Sequence, residues 1–146
     1  MIDIPSQLIN YIKRNGKKYK PALCPKEIPR GRIGDCFDHC ALIAAKSRDR
    51  YRYVEGYAKD PISSHFILHA WLTDAEGKNA YDPTWRAENA RGEEVPVPTI
   101  YRGMQVDLDD LVRFLIRTAH KSIIANAWRS PRLAQAAMPG LPIIKP

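Results

Sequence analysis

The chain is short of the features that mark several broad classes. It has three cysteines in 146 residues, an odd number that does not suit a disulfide scaffold and points to free thiols in a reducing, cytoplasmic setting. No run of eighteen or more apolar residues occurs, so no membrane span is expected. The opening MIDIPSQLINYIKRNG lacks the basic start, apolar stretch and small-residue cleavage site of a secretory signal. Acidic residues are outnumbered, 16 against 23 Lys and Arg, which leaves a formal charge of +7. That imbalance favours an acidic partner. Neither an aromatic RNA-stacking signature nor a zinc-finger spacing accompanies it, so nucleic acid is less favoured than an acidic protein. No internal repeat is visible. The length suits a single domain able to bury its own core.

What is present reads as an alternation of helices and strands. PSQLINYIKRNG is an amphipathic helix with Leu8, Ile9 and Ile12 on its stripe and Gly16 as the stop. Residues 17–34 are rich in Pro, Lys, Arg and Gly and read as a wrapped loop. Much of the charge sits in KRNGKKYK (13–20) and PRGR (29–32), runs that are more often solvated faces than sites. GDCFDHCALIAAKS predicts a helix beginning at Cys36, with Asp35 as its cap and Asp38 suited to the helix dipole. RYRYVEGYA, SHFILHAWLT and KNAYDPTW read as strands, with VPTIYRGMQV as a short fourth. DLDDLVRFLIRTAH predicts a helix turning Leu111, Phe114, Leu115 and Ile116 inward, and SIIANAWRS predicts another. Residues 131–146, with four prolines, are expected to form an extended arm or disordered end beyond a domain spanning 1–130. Hairpin-length connections imply an antiparallel sheet. The expected class is therefore α+β: a central helix carrying the cysteine, packed on a small antiparallel sheet, with additional N- and C-terminal helices.

The chemistry concentrates in HAWLTDAEGKNAYDPTW, residues 69–85. If Asp74–Gly77 is a four-residue loop, Thr73 pairs with Lys78 and His69 falls opposite Asp82, with Cβ atoms roughly 4.5–5.5 Å apart. Asp82 would then accept a hydrogen bond from the imidazole and orient it. A slip of one residue would part the pair. The alternative is two ordinary polar residues on a solvated hairpin. A nucleophile must be a thiolate, and helix starts favour thiolates through their unpaired N–H groups. Cys36 is at such a start, Cys40 lies a turn deeper, and Cys24 is in the loop. The backbone N–H of Cys36 would also help to hold an oxyanion.

Together GDCFDHCALIAA, YVEGYA, HAWLTDAEGKNAYDPTW and IYRGMQVD resemble the transglutaminase-like superfamily of cysteine enzymes with a papain-like core. The resemblance covers residues 34–85, and the YRG segment is similar to one found in small bacterial and phage-encoded members. It implies Cys36 as nucleophile, His69 as general base and acid, and Asp82 as the residue orienting His69. The counterpart of the family's second oxyanion donor is not assigned, with Tyr19 as a candidate, and His65 lies outside the motif. No cofactor and no metal are implied. The reaction expected is acyl transfer through a thioester, with hydrolysis of an amide (peptidase, amidase or deamidase) favoured over cross-linking because a short chain has little room for an acceptor-amine site. The substrate expected is a protein or other amide-bearing molecule, acidic on charge grounds, with Tyr57, Trp71 and Trp85 as substrate-binding candidates. The oligomeric state is left open.

Two rival readings stand beside this one. Zinc bound by Cys24, Cys36, His39, Cys40, His65 and His69 would need two residues four apart on one strand, about 13 Å, to reach one ion. A non-catalytic basic protein, docking on an acidic protein or on nucleic acid through KRNGKKYK, would not require Cys, His and Asp at these places.

Overall fold

The structure, a computed structural model, describes residues 4–60, 62–119 and 121–146. Helix α1 (Ser6–Asn15) forms where the apolar spacing predicts it and buries Leu8, Tyr11 and Ile12. Gly16 ends it in an extended conformation. A Cβ at Gly16 would stand 2.7 Å from the Gly103 carbonyl oxygen, so the chain needs glycine there to turn tightly into a strand.

That strand, β1 (Lys17–Ala22), replaces the first part of the expected loop. Its sequence KKYKPA shows only one large apolar side chain, Tyr19. A strand that sends one residue inward and lysines outward has the composition of a loop. After it come α2 (Cys36–Lys46), β2 (Arg52–Lys59), β3 (Phe66–Thr73), β4 (Asn79–Tyr81), the two-residue strands β5 (Ala87–Glu88) and β6 (Glu94–Val95), and β7 (Tyr101–Gln105). Helices α3 (Leu108–Thr118), α4 (Ile123–Asn126), a 3₁₀ turn (Ala127–Arg129) and α5 (Pro131–Ala137) complete the chain.

The expected open antiparallel sheet under a central helix is not what forms. Strand β1 pairs parallel with β4 and antiparallel with β7, and so joins the two free edges of the β4-β3-β2-β7 sheet into a closed five-stranded barrel. The protein is α+β, but its sheet has no edges, because backbone pairing by β1 satisfies both. The small β5–β6 ladder stands apart.

Alternation along the strands sorts the side chains into two cores. Tyr19, Val54, Ala58, Ile67, Trp71, Ala80 and Tyr101 form one cluster, inside the barrel. The opposite faces, including Tyr53, Tyr57, Leu68, Ala70 and Leu72, join a larger cluster with α1, α2 and the C-terminal helices. Gly56 of β2 lies between His69 of β3 and Gly103 of β7 in the pairing. A Cβ on Gly103 would meet the Trp71 ring at 2.9 Å, so the missing side chain makes room for that indole.

Buried Glu55 ties the barrel to α4. Its carboxylate accepts from Ser122 Oγ, the backbone N–H groups of Ile123 and Ile124, and the Tyr53 hydroxyl. The C-terminal residues are also part of the fold, contrary to the expected arm. Ala134, Ala137, Met138 and Leu141 are buried, and the Tyr11 hydroxyl donates to the Pro139 carbonyl at 2.7 Å. In α3, Leu111 and Phe114 point inward as expected, whereas Ile116 is 81% exposed. The predicted end of that helix at His120 lies outside the described residues. Among the described residues, no helix is long and apolar enough to cross a membrane.

Candidate active site

Cys36 is the first residue of α2, and the helix begins there as expected. Asp35 does not act as a side-chain cap, so its carboxylate leaves the first-turn N–H groups to other partners. Residues ahead of the helix are held against the end of β4. The Gly31 N–H donates to the Pro83 carbonyl at 3.0 Å, and His39 Nε2 lies 2.7 Å from the Pro29 carbonyl oxygen. Gly31 is required at this point, since a Cβ would strike the His39 ring and Thr84 at 2.7 and 2.8 Å.

The hairpin differs in register from the simple expectation. Leu72 pairs with Tyr81, two residues beyond the Asn79 expected opposite it. The cause is a longer connection organised by Asp74, whose carboxylate accepts from the N–H groups of Gly77 and Lys78 and from Asn79 Nδ2. A displacement of two keeps every side chain on its face. His69 and Asp82 therefore meet on the diagonal, with His69 Nε2 donating to Asp82 Oδ2 at 2.7 Å.

Asp82 is fixed from all sides. Besides His69, its Oδ2 accepts from the Tyr101 hydroxyl at 2.6 Å. Its Oδ1 accepts from Thr84 N, Thr84 Oγ1 and Trp85 N at 3.3, 3.3 and 3.2 Å, the turn that the DPTW sequence builds. The His69 ring is boxed by aromatics, with Trp71 stacked at 6.2 Å, Trp85 edge-on at 5.6 Å and Tyr101 tilted at 6.2 Å. With Nε2 committed to Asp82, Nδ1 is the nitrogen left for the thiol. Burial disfavours a charged His69, but the Asp82 charge and hydrogen bond, followed by the Cys36 thiol, outweigh it and lift its pKa to about 10. Asp82 thus favours the charged form of the imidazole.

Cys36 and His69 open on a cleft of about 360 Å³ whose walls include Ile33, Phe37, Ile62, Leu68, Thr84 and Trp85. The other two thiols are unsuited to attack. Cys40 is fully buried, with its sulfur 3.8 Å from the Ala70 carbonyl oxygen, and burial pushes its pKa well up. Burial likewise pushes Cys24 up to about 11.

The structure brings together Cys36, His69, Asp82 and Trp85. It does not bring Tyr57 or Trp71 to the cleft wall. Tyr57 is buried on the outer face of the barrel, edge-on to Phe66 at 4.8 Å. Trp71 fills the barrel interior behind His69. Tyr19 is buried beside Trp71 at 5.8 Å and does not border the cleft. His65 is exposed just ahead of β3. Tyr101 is the residue that sequence reasoning passed over, although YRG lay within the motif set. Only the closure of the barrel carries β7 round to Asp82. Among the described residues, no three of His, Cys, Asp and Glu cluster so as to hold a metal ion.

In comparisons with known proteins, no family model, no curated protein and no solved structure matches the chain.

Proposed function

We propose that the protein is a cysteine-dependent acyl-transfer enzyme acting on amides, with Cys36 as nucleophile, His69 as base and acid, and Asp82 as the positioning carboxylate. The observation that carries this reading is the meeting of three separate elements at one cleft: the start of α2, the middle of β3 and the turn after β4. The motif resemblance to transglutaminase-like enzymes supports the same roles. The free cysteines fit a reducing, cytoplasmic setting.

In this mechanism His69 Nδ1 takes the proton of Cys36, and the raised basicity of the imidazole stabilises the resulting ion pair. The thiolate attacks the substrate carbonyl, and the oxyanion is met by the N–H of Cys36 at the uncapped helix start. His69 then passes its proton to the leaving nitrogen as the C–N bond breaks, leaving a thioester on Cys36. Water, deprotonated by His69, attacks the thioester, and the S–C bond breaks to release an acid and the thiol. Hydrolysis is the favoured second step, because a short chain has little room for an acceptor-amine site.

Mass spectrometry after brief exposure to activated acyl esters tests the reading. An acyl adduct on Cys36 in the wild type, absent from Cys36→Ala and His69→Ala, is the expected result. Equal ester turnover by wild type and Cys36→Ala would overturn it. Adding an alkylamine distinguishes transfer from hydrolysis through the ratio of amide to acid product.

A further inference from the structure

We propose that the lysine-bearing outer wall of the barrel beside the cleft docks an acidic segment of a polypeptide substrate, an inference that rests on the acyl-transfer reading above. Two open grooves lie beyond the cleft, the first adjoining it and the second adjoining the first. One, of about 580 Å³, shares Asp60 with the cleft and is bordered by Lys20 and Lys59. The other, of about 550 Å³, shares Lys20 and Ile100 with the first and is bordered by Lys17, Lys18 and Lys78. Shared lining residues thus link the cleft of Cys36 to these lysines in two steps.

The lysines are crowded without being neutralised. Lys18 sits directly opposite Arg102 in the β1–β7 pairing, a like-charge arrangement that costs a sheet stability. The N–H of Lys20 donates to the Lys78 carbonyl at 2.8 Å, which places those two residues side by side. Among the described residues, Lys78 has a carboxylate partner, Glu76 at 3.4 Å, whereas Lys17, Lys18, Lys20 and Lys59 have none. Asp60, at the junction with the cleft, turns its Oδ1 to the N–H of Ile62 at 2.8 Å. Unpaired cations beside a reaction cleft attract anionic substrate and raise its local concentration.

The features of the track favour a polypeptide over a nucleic acid. Single-stranded nucleic acid is held by exposed aromatic platforms as well as by cations. The two tyrosines bordering the second groove, Tyr19 and Tyr101, are instead buried in the barrel. The groove walls offer Pro96, Pro98 and Ile100, which suit an extended peptide. The cleft that the track leads into is the one proposed to act on an amide.

The test uses the full-length Cys36→Ala protein and fluorescein-labelled peptides that carry an isoleucine flanked, on one side or the other, by four glutamates or four glutamines. Anisotropy titrations at low and physiological salt give the affinities. The better glutamate peptide is expected to bind about tenfold more tightly than its glutamine match, from several exposed pairs of modest strength. The preference is expected to shrink at the higher salt and to fall below about twofold in Lys18→Glu/Lys20→Glu/Lys59→Glu. The Lys→Gln triple variant, checked by thermal unfolding, covers the case in which charge reversal disturbs folding. Equal binding of the two peptides, or a preference unchanged in both triple variants, overturns the proposal. So does a single-stranded oligonucleotide of the same charge that binds more tightly than the peptide through the same lysines. The acyl adduct on wild-type Cys36 is read separately: an adduct without acidic preference overturns the track alone, and acidic preference without an adduct overturns the catalytic reading alone.

Discussion

At the scale of single residues, the arrangement around His69 makes its charge state the quantity to follow. An imidazole in an unfolded chain titrates near about 6.5, and in the folded protein the Asp82 charge, working against burial, holds it at about 10. The folded state binds this proton more tightly than the unfolded state. Its contribution to stability is therefore complete below about pH 6.5 and is lost as pH rises through about 10. Thermal melts across that window should show a falling transition temperature in the wild type and a flatter profile in His69→Gln. Alkylation by iodoacetamide, followed by peptide mass spectrometry, should label Cys36 rapidly at neutral pH. Cys24 and Cys40, both pushed up by burial, should label slowly. The Cys36 rate should collapse in His69→Ala. Tyr101→Phe removes a buried hydrogen bond to the Asp82 carboxylate. It is expected to cost about 1.5–3 kcal/mol in urea unfolding, and to slow Cys36 alkylation because Asp82 loses one of the groups that aim it.

At the scale of elements, the seam between β2 and β7 leaves no room for a side chain at its centre. Gly56 faces Gly103 across it. A Cβ at Gly56 would stand 2.2 Å from the Arg102 carbonyl oxygen and 2.4 Å from Gly103 Cα, both backbone atoms that cannot swing aside. Gly56→Ala is therefore expected to destabilise the barrel by about 1–3 kcal/mol or more, measured by urea denaturation. Its loss of Cys36 reactivity should track the unfolded fraction, since this seam supports β3 and His69. Several elements were legible from local pattern. Helix α1, the α2 start at Cys36 and strands β2 and β3 carry strong periodicity or clear boundary residues. Strand β1 was not legible, because KKYKPA sends only Tyr19 inward and its identity as a strand comes from backbone pairing with β4 and β7. The His69–Asp82 contact was anticipated through a register that turned out two residues short. It survived because a shift of two preserves the face.

For the whole molecule, the C-terminal residues are an integral layer and not an appendage. Truncation after Ser130 would remove α5 and expose the surface now covered by Ala134, Ala137, Met138 and Leu141. The truncated protein is expected to melt well below the full chain and to bind a hydrophobic dye at room temperature, in differential scanning fluorimetry. This segment misled sequence reading because its prolines suggest an arm. Pro131 in fact occupies the first turn of a helix, where its missing N–H costs nothing, and the later prolines follow the helix end.

Sequence by itself determined the chemistry on offer: a cysteine at a helix start, a histidine on a strand, and an aspartate on the other arm of the same hairpin. Each of those placements depends on short-range forces, on helix-end dipoles, side-chain alternation and turn hydrogen bonds, which neighbouring residues are enough to specify. Tertiary structure alone decided that the sheet closes, that Tyr101 reaches Asp82, that Trp71 and Tyr57 are packing residues away from the cleft wall, and that the last residues belong to the core. Those outcomes rest on pairings between segments far apart in the chain. In such pairings the deciding interactions are backbone hydrogen bonds and the exclusion of water from a shared interior, and neither leaves a mark on local composition.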